Sequence, residues 1–295
     1  MRYLKDPRCL MVIAMSIFGT IPLFVKHLPL SSGEIALYRS AMAVLMVGAY
    51  LAITKQKIPW KILKGKAFRL LLSGFALGFN WILLFEAYRY TSVSTATLCY
   101  YFAPVLVTVA SLFLFRERLT WFQGLCFGMS TVGLVMITGT GGNGSSDLRG
   151  ILLGLGAAVL YATVVLVNKS LQGISGIQRT FIQFATAMVI LIPYVAFTGG
   201  FHPHVLDGKG WIMLLTVGIV HTGVTYCLYF SAVSGLSGQK TALISYLDPL
   251  IAVLVSVLAL NESITVLQIV GGVLIIGFSL LNELVPVGKK HQKQG

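Results

Sequence analysis

Carboxylates are scarce in this sequence: 295 residues hold nine Asp and Glu against 22 Lys and Arg. Charged residues of both signs make up only 11% of the chain, where a soluble domain carries roughly 25%, so there is too little polar surface to cover a water-soluble fold of this size. The four cysteines, Cys9, Cys99, Cys126 and Cys227, have no paired spacing, which argues against a disulfide framework or a thiolate metal site. There is no Walker-type phosphate loop, no GxGxxG opening a βαβ unit and no His-Cys metal spacing. No metal and no cofactor are therefore expected. The titratable residues are scattered, with no acid pair, histidine pair or nucleophile motif, and this speaks against an enzyme active site.

What is present in quantity is apolar: 56% of the residues are hydrophobic and the mean hydropathy is +0.85. A helix needs about 20 mostly apolar residues to cross the hydrocarbon core. Runs of this kind, punctuated by Gly, Pro and charge, predict ten spans at 9–25, 34–53, 68–88, 93–115, 121–138, 150–168, 178–198, 211–231, 240–260 and 265–284. The expectation is an all-α integral membrane protein with ten transmembrane helices in one bundle. The first run follows the basic "MRYLKDPR", but nine further spans make it a retained helix rather than a signal peptide. The 31 glycines fit close helix packing in lipid.

The net charge of +13 raises nucleic acid as a partner, and its distribution removes it. With the amino terminus inside, 17 of the Lys and Arg residues fall in segments on the cytoplasmic side and only Lys26, Arg89, Arg149 and Lys209 on the other. Both termini are thus expected in the cytoplasm of a plasma or inner membrane protein. Anionic lipid headgroups are the natural partners of the basic excess.

Two copies of one plan run through the chain. An offset of 145 pairs Pro104 with Pro249, Glu117 with Glu262, Thr120 with Thr265, Gln123 with Gln268 and Tyr101 with Tyr246; near the front an offset of 143 pairs Thr20 with Thr163, Lys26 with Lys169 and Gly33 with Gly176. The organisation read from this is a first repeat at 1–140, a connector at 141–149 containing "GGNGSSD", a second repeat at 150–284 and a basic cytoplasmic tail at 285–295. Five spans per copy is an odd number, so the second copy is expected upside down relative to the first, as in transporters built from inverted repeats.

The segments "APVLVTVASLFLFRERLTWFQG" and "DPLIAVLVSVLALNESITVLQI" share a Pro in the fourth span of the copy, a later Glu and a Thr-x-x-Gln. Together they resemble the EamA group of the drug/metabolite transporter superfamily over about residues 9–284. The resemblance implies a ten-helix inverted-repeat fold, alternating access, and export or uptake of small metabolites, amino acids among them. The function expected is secondary active transport of a small organic metabolite, an amino acid or similar and aromatic in character, as an exporter. A flippase for a lipid-linked intermediate, or a nucleotide-sugar-like metabolite exchanger, is the alternative.

A charge at membrane depth costs about 2.5–3.5 kcal/mol on insertion scales, so it faces a cavity or a partner. Arg39 and Glu86, each a turn inside the outer end of its span, are candidates for a salt bridge, a gate or a substrate clamp. Asp248 sits mid-span, directly before a proline that removes a backbone donor, while the matching position in the first copy is Ala103. It is a candidate proton carrier or a carboxyl satisfied by its neighbours. Lys240, eight positions earlier, either faces the same cavity or anchors at the interface. His221 in the eighth span titrates near neutral pH when unperturbed, and is either a coupling group or a hydrogen-bonded packing residue. Asn80, Trp81, Tyr100, Tyr101, Tyr161, Tyr226 and Tyr246 add aromatic surface with polar tips at mid-span depth. Such a set suits a cavity for a small-molecule substrate of mixed polarity.

Overall fold

The structure is a computed structural model that describes residues 6–56, 58, 65–114, 120–139, 145–171 and 173–284. The predicted tail at 285–295, most of the 55–66 loop, residues 115–119 with Glu117, and the 141–144 part of the connector lie outside the described residues. In chain order the helices are α1 (Pro7–Gly19), α2 (Ile21–His27), α3 (Ser32–Ile53), α4 (Ala67–Tyr90), α5 (Val93–Tyr100), α6 (Ala103–Leu114), α7 (Trp121–Gly139), α8 (Ser145–Lys169) and α9 (Gly176–Thr198). They continue with α10 (Gly208–Leu215), a π-helical segment (Thr216–Val224), α11 (Thr225–Val233), α12 (Gly238–Ser245), α13 (Leu247–Leu258) and α14 (Val266–Leu284). Among the described residues there is no strand. Among the described residues, eight helical stretches are long and apolar enough to cross a membrane, and two shorter apolar ones, Leu243–Leu258 and Val266–Asn282, occupy the last two predicted spans.

Three pairs of helix starts are capped alike at a spacing of 144 or 145. Ser31 and Ser175 open α3 and α9 with capping boxes closed by Glu34 and Gln178. Ser92 and Ser237 cap α5 and α12. Thr120 and Thr265 exchange reciprocal backbone hydrogen bonds with Gln123 and Gln268 at the starts of α7 and α14. Each such cap satisfies donors that the first helical turn leaves orphaned.

The predicted spans 93–115 and 240–260 are not continuous helices. α5 ends at Tyr100 and α12 at Ser245, each four residues before a proline, Pro104 or Pro249. A proline has no N–H to give the carbonyl four back and its ring clashes with that carbonyl, so the helix stops there and restarts. The first span also breaks, at Thr20, two residues before Pro22.

Around the centre, α4 packs along α8, α9 lies against α3 and α4, α7 pairs with α14, and α1 contacts α11 and α13. Asn80, buried between α4 and α8, donates its amide to the carbonyl of Ala157 at 2.6 Å. α3 also packs on the π-helical segment. A Cβ added to Gly218 would lie 2.0 Å from Met42 Sδ and one on Gly223 2.5 Å from Met46 Cγ, so only glycine allows this approach. His221 and Thr222 in the segment and Thr225 just after it each hydrogen-bond to the carbonyl five residues back, which complements the wider π turn.

Candidate functional site

The helix breaks border a central cavity of about 600 Å³. Both halves of the chain line it. Its wall includes Trp81, seven tyrosines (Tyr88, Tyr100, Tyr101, Tyr161, Tyr226, Tyr229 and Tyr246), Arg39 and Asp248, then Asn168, Arg179, Gln183, Thr241 and Asn282. The rings form a continuous surface: Tyr100 stands edge-on to Tyr101 at 5.6 Å between centroids and lies 5.4 Å from Tyr161, and Tyr101 lies 6.3 Å from Tyr246.

Asp248 lies in the first turn of α13, where the exposed N–H ends of the helix favour a carboxylate. Its Oδ2 accepts the Tyr101 hydroxyl at 2.5 Å. Arg39 is 4% exposed. Its Nε donates to Thr222 Oγ1 at 2.7 Å, and its guanidinium carbon lies 4.2 Å from the Trp81 ring centroid, a cation–π distance. Arg39 and Glu86 therefore do not pair with each other. Glu86 accepts from Ser32 Oγ at 2.6 Å and lies 3.7 Å from Arg89 Nε, because the rotation of α4 turns it away from the cavity that Arg39 faces.

The remaining candidates separate. Trp81, Tyr100, Tyr101, Tyr161, Tyr226 and Tyr246 line the cavity; Asn80 does not, being bound to Ala157. His221 is buried beside it, with Nδ1 3.1 Å from the Thr216 carbonyl, Nε2 2.9 Å from Thr20 Oγ1 and its ring edge-on to Phe24. Both ring nitrogens are engaged in packing two helices. Lys240 is exposed in the first turn of α12 and is not part of the cavity wall.

Sequence reasoning passed over the polar end of the wall. Asn168 Oδ1 accepts from Gln183 Nε2 at 2.8 Å, and the Asn168 carbonyl accepts from Arg179 at 3.3 Å. Arg179 counts as one more cytoplasmic charge in a topology reading, and amides at span ends look like caps. Their signal was two amides and a cation on facing helix ends, which depth along the sequence does not reveal.

At the opposite end, a second cavity of about 650 Å³ is lined by Lys26, Ser31, Glu34, Arg89 and His202, and Phe85 and Tyr88 border both cavities. Beside it Glu262 gathers three helices. It forms an ion pair with Lys26 of α2, accepts from the Val93 N–H at the start of α5 at 2.7 Å, and accepts from Ser256 of α13 at 2.5 Å. Ser256 also receives the Ser94 hydroxyl at 2.7 Å. Charge and hydrogen bonds thus tie α2, α5 and α13 together at this end.

A multi-span helical bundle surrounds an aromatic and polar cavity at its centre, an arrangement suited to holding a small solute. The chain is a member of the EamA-like transporter family, whose model matches residues 8–139 and 148–283. It is similar to the uncharacterized transporter YxxF of Bacillus subtilis (strain 168), with 34% identity over 286 residues, 95% of this chain and 90% of that one. An uncharacterized transporter of Archaeoglobus fulgidus is 25% identical over 286 residues, covering 95% and 97%. A solved crystal structure of another protein has a TM-score of 0.61 at 17% identity, covering 92% of this chain and 94% of the other; this likeness shows the shared fold.

Proposed function

We propose that the protein is a secondary active transporter that exports a small organic metabolite, an amino acid or similar solute of aromatic character, by alternating access, with protons as the coupling ion. The observation that carries this reading is the central cavity: about 600 Å³, walled by Trp81 and seven tyrosines, with one acid and two arginines. Its volume and mixture of apolar surface with a few polar groups suit a small solute rather than a macromolecule.

Alternating access needs two opposed halves. Matched caps at a spacing of 144–145, two helix breaks four residues before matched prolines, and five predicted spans per copy support ten membrane-crossing helices in two inverted repeats. The Lys26–Glu262 tie and the Phe85–Tyr88 border are consistent with a conformation closed at one face, with the solute path running toward Asn168, Arg179 and Asn282. With both termini cytoplasmic, the closed face is the external one. Cysteines placed in 199–210 then react with an impermeant reagent from outside, and cysteines in 55–66 only after permeabilisation. The reverse pattern removes the orientation.

The test of function is reconstitution in proteoliposomes. Saturable movement of labelled aromatic amino acids, made concentrative by an imposed pH gradient, is the expected result. Movement of lipid-linked sugars and no movement of soluble solutes assigns the flippase reading instead.

A further inference from the structure

Arg39 is a buried cation with unused capacity. A guanidinium carries five N–H donors, and among the described residues only Nε has a hydrogen-bond partner, the neutral Thr222 hydroxyl. No carboxylate oxygen of the described residues lies within 4.0 Å of it. Asp248, the acid of the same cavity, already holds the Tyr101 hydroxyl. A cation removed from water without an anionic partner is costly, so its retention here calls for a ligand that completes it.

The group is also aimed. Thr222 is fixed by its own bond to the Val217 carbonyl at 2.8 Å. The Trp81 ring 4.2 Å away and the Phe85 ring 5.8 Å away set the guanidinium against aromatic faces. With Nε tied back, the two terminal nitrogens are the edge left to a solute in the cavity that Arg39 lines. Paired N–H donors on such an edge match the two oxygens of a carboxylate.

We propose that Arg39 is the anion anchor of the central cavity, and that the solute carries a carboxylate on an aromatic or apolar body. The carboxylate docks on the terminal nitrogens of Arg39 while the body lies along Tyr100, Tyr226 and Phe85. An aromatic amino acid and a simple aromatic carboxylate share this chemistry; only the first brings an ammonium group for Asp248. The inference rests on the reading of the cavity as the solute site.

Three probes separate the possibilities: 3-phenylpropionate, phenylalanine and phenethylamine, which share a phenyl ring and differ in carrying an anion, both charges or a cation. Calorimetric titration of purified protein is expected to rank both carboxylates at least roughly tenfold above phenethylamine, about 1.4 kcal/mol. A further gain for phenylalanine over 3-phenylpropionate assigns the ammonium a contact of its own. Arg39→Gln removes the preference for carboxylates, and Arg39→Lys keeps part of it, whereas a merely structural arginine lowers the melting temperature of both variants with the ranking intact. Phenethylamine binding as tightly as the carboxylates, a ranking unchanged in folded Arg39→Gln, or binding of none of the three overturns the anchor. Should Arg39→Gln not fold, the wild-type ranking and Arg39→Lys still decide. Counterflow in proteoliposomes distinguishes the two levels: phenethylamine transported as well as the acids sinks the anchor and leaves transport standing, and acids that bind but never cross sink transport and leave the anchor.

Discussion

The two broken helices, α5–α6 and α12–α13, are alike in length, cap and proline, and they differ at the residue before that proline: Ala103 stands where the other has Asp248. Their tyrosines correspond as well, Tyr101 and Tyr246, and it is Tyr101 of the first copy that binds the acid of the second. Ala103 offers Tyr246 no oxygen in return. The break opens the backbone to a cavity, and the side chains along the broken helices are free to differ between the copies, Ala103 against Asp248 and Thr95 against Lys240.

The largest expected effect comes from making the copies more alike. Asp248→Asn keeps the shape and hydrogen-bonding capacity of the side chain and cannot titrate. Since an ion shifts a conformational equilibrium only by its differential affinity for the two states, the variant is expected to lose concentrative, pH-driven transport altogether and to retain counterflow. Adding Ala103→Asp does not restore it, because the acid then sits on the other helix. Wild-type accumulation and pH dependence in Asp248→Asn would make Asp248 a structural residue.

Next in size is the approach of α1 to the acid-bearing helix. A Cβ on Gly19 would lie 2.7 Å from both the Asp248 carbonyl oxygen and Ile251 Cβ, whereas the residue 143 positions on, Ala162, already carries one and is buried. Gly19→Ala must push backbone, and is expected to cost about 3 kcal/mol, the upper end for overpacking; Ala162→Gly costs about 1 kcal/mol. Denaturant titration in detergent reads both, and equal effects at the two positions would erase the distinction between the interfaces.

The chain's membrane character and its internal repeat are legible in the sequence because composition and a fixed offset survive without coordinates. The aromatic side of the cavity follows from mid-span tyrosines. Depth along a helix says nothing about rotation around it, and this is why Arg39 and Glu86 looked like partners while Arg39 faces the central cavity and Glu86 turns to Ser32 and Arg89. The same blindness hid Arg179, Asn168 and Gln183 at the span ends and made Asn80 a cavity candidate when it faces Ala157. The π-helical segment has only weak sequence marks, Gly218 and Gly223 among hydroxyl residues, yet it supplies the Thr222 that orients Arg39.

Tyr101→Phe tests the cross-copy bond alone. Removing a hydrogen bond to a charged group costs about 1.5–3 kcal/mol, and the low end applies here because Asp248 keeps its place at the helix N-terminus. Tyr246→Phe, in the copy whose partner position holds Ala103 rather than an acid, is expected to be milder. Melting temperatures of the two variants provide the check, and a larger loss in Tyr246→Phe would reverse the asserted asymmetry.

The smallest effect lies at the paired caps of α7 and α14, where the copies look identical. Gln123 and Gln268 accept from the backbone N–H of Thr120 and Thr265 at 3.0 and 2.9 Å. Gln268 additionally donates its amide to Thr95 Oγ1 at 3.1 Å, tying α14 to the start of α5, and among the described residues Gln123 makes no such bond. Loss of a cap contact costs about 0.5–1 kcal/mol, and a second neutral hydrogen bond adds about 1 kcal/mol. Gln268→Ala is therefore expected to destabilise more than Gln123→Ala by roughly the worth of one hydrogen bond, and Thr95→Val to recover most of that difference in a double-mutant cycle with Gln268→Ala. Additive effects in that cycle would mean that the Gln268–Thr95 contact contributes nothing, and that the two caps are as equivalent in energy as they are in sequence.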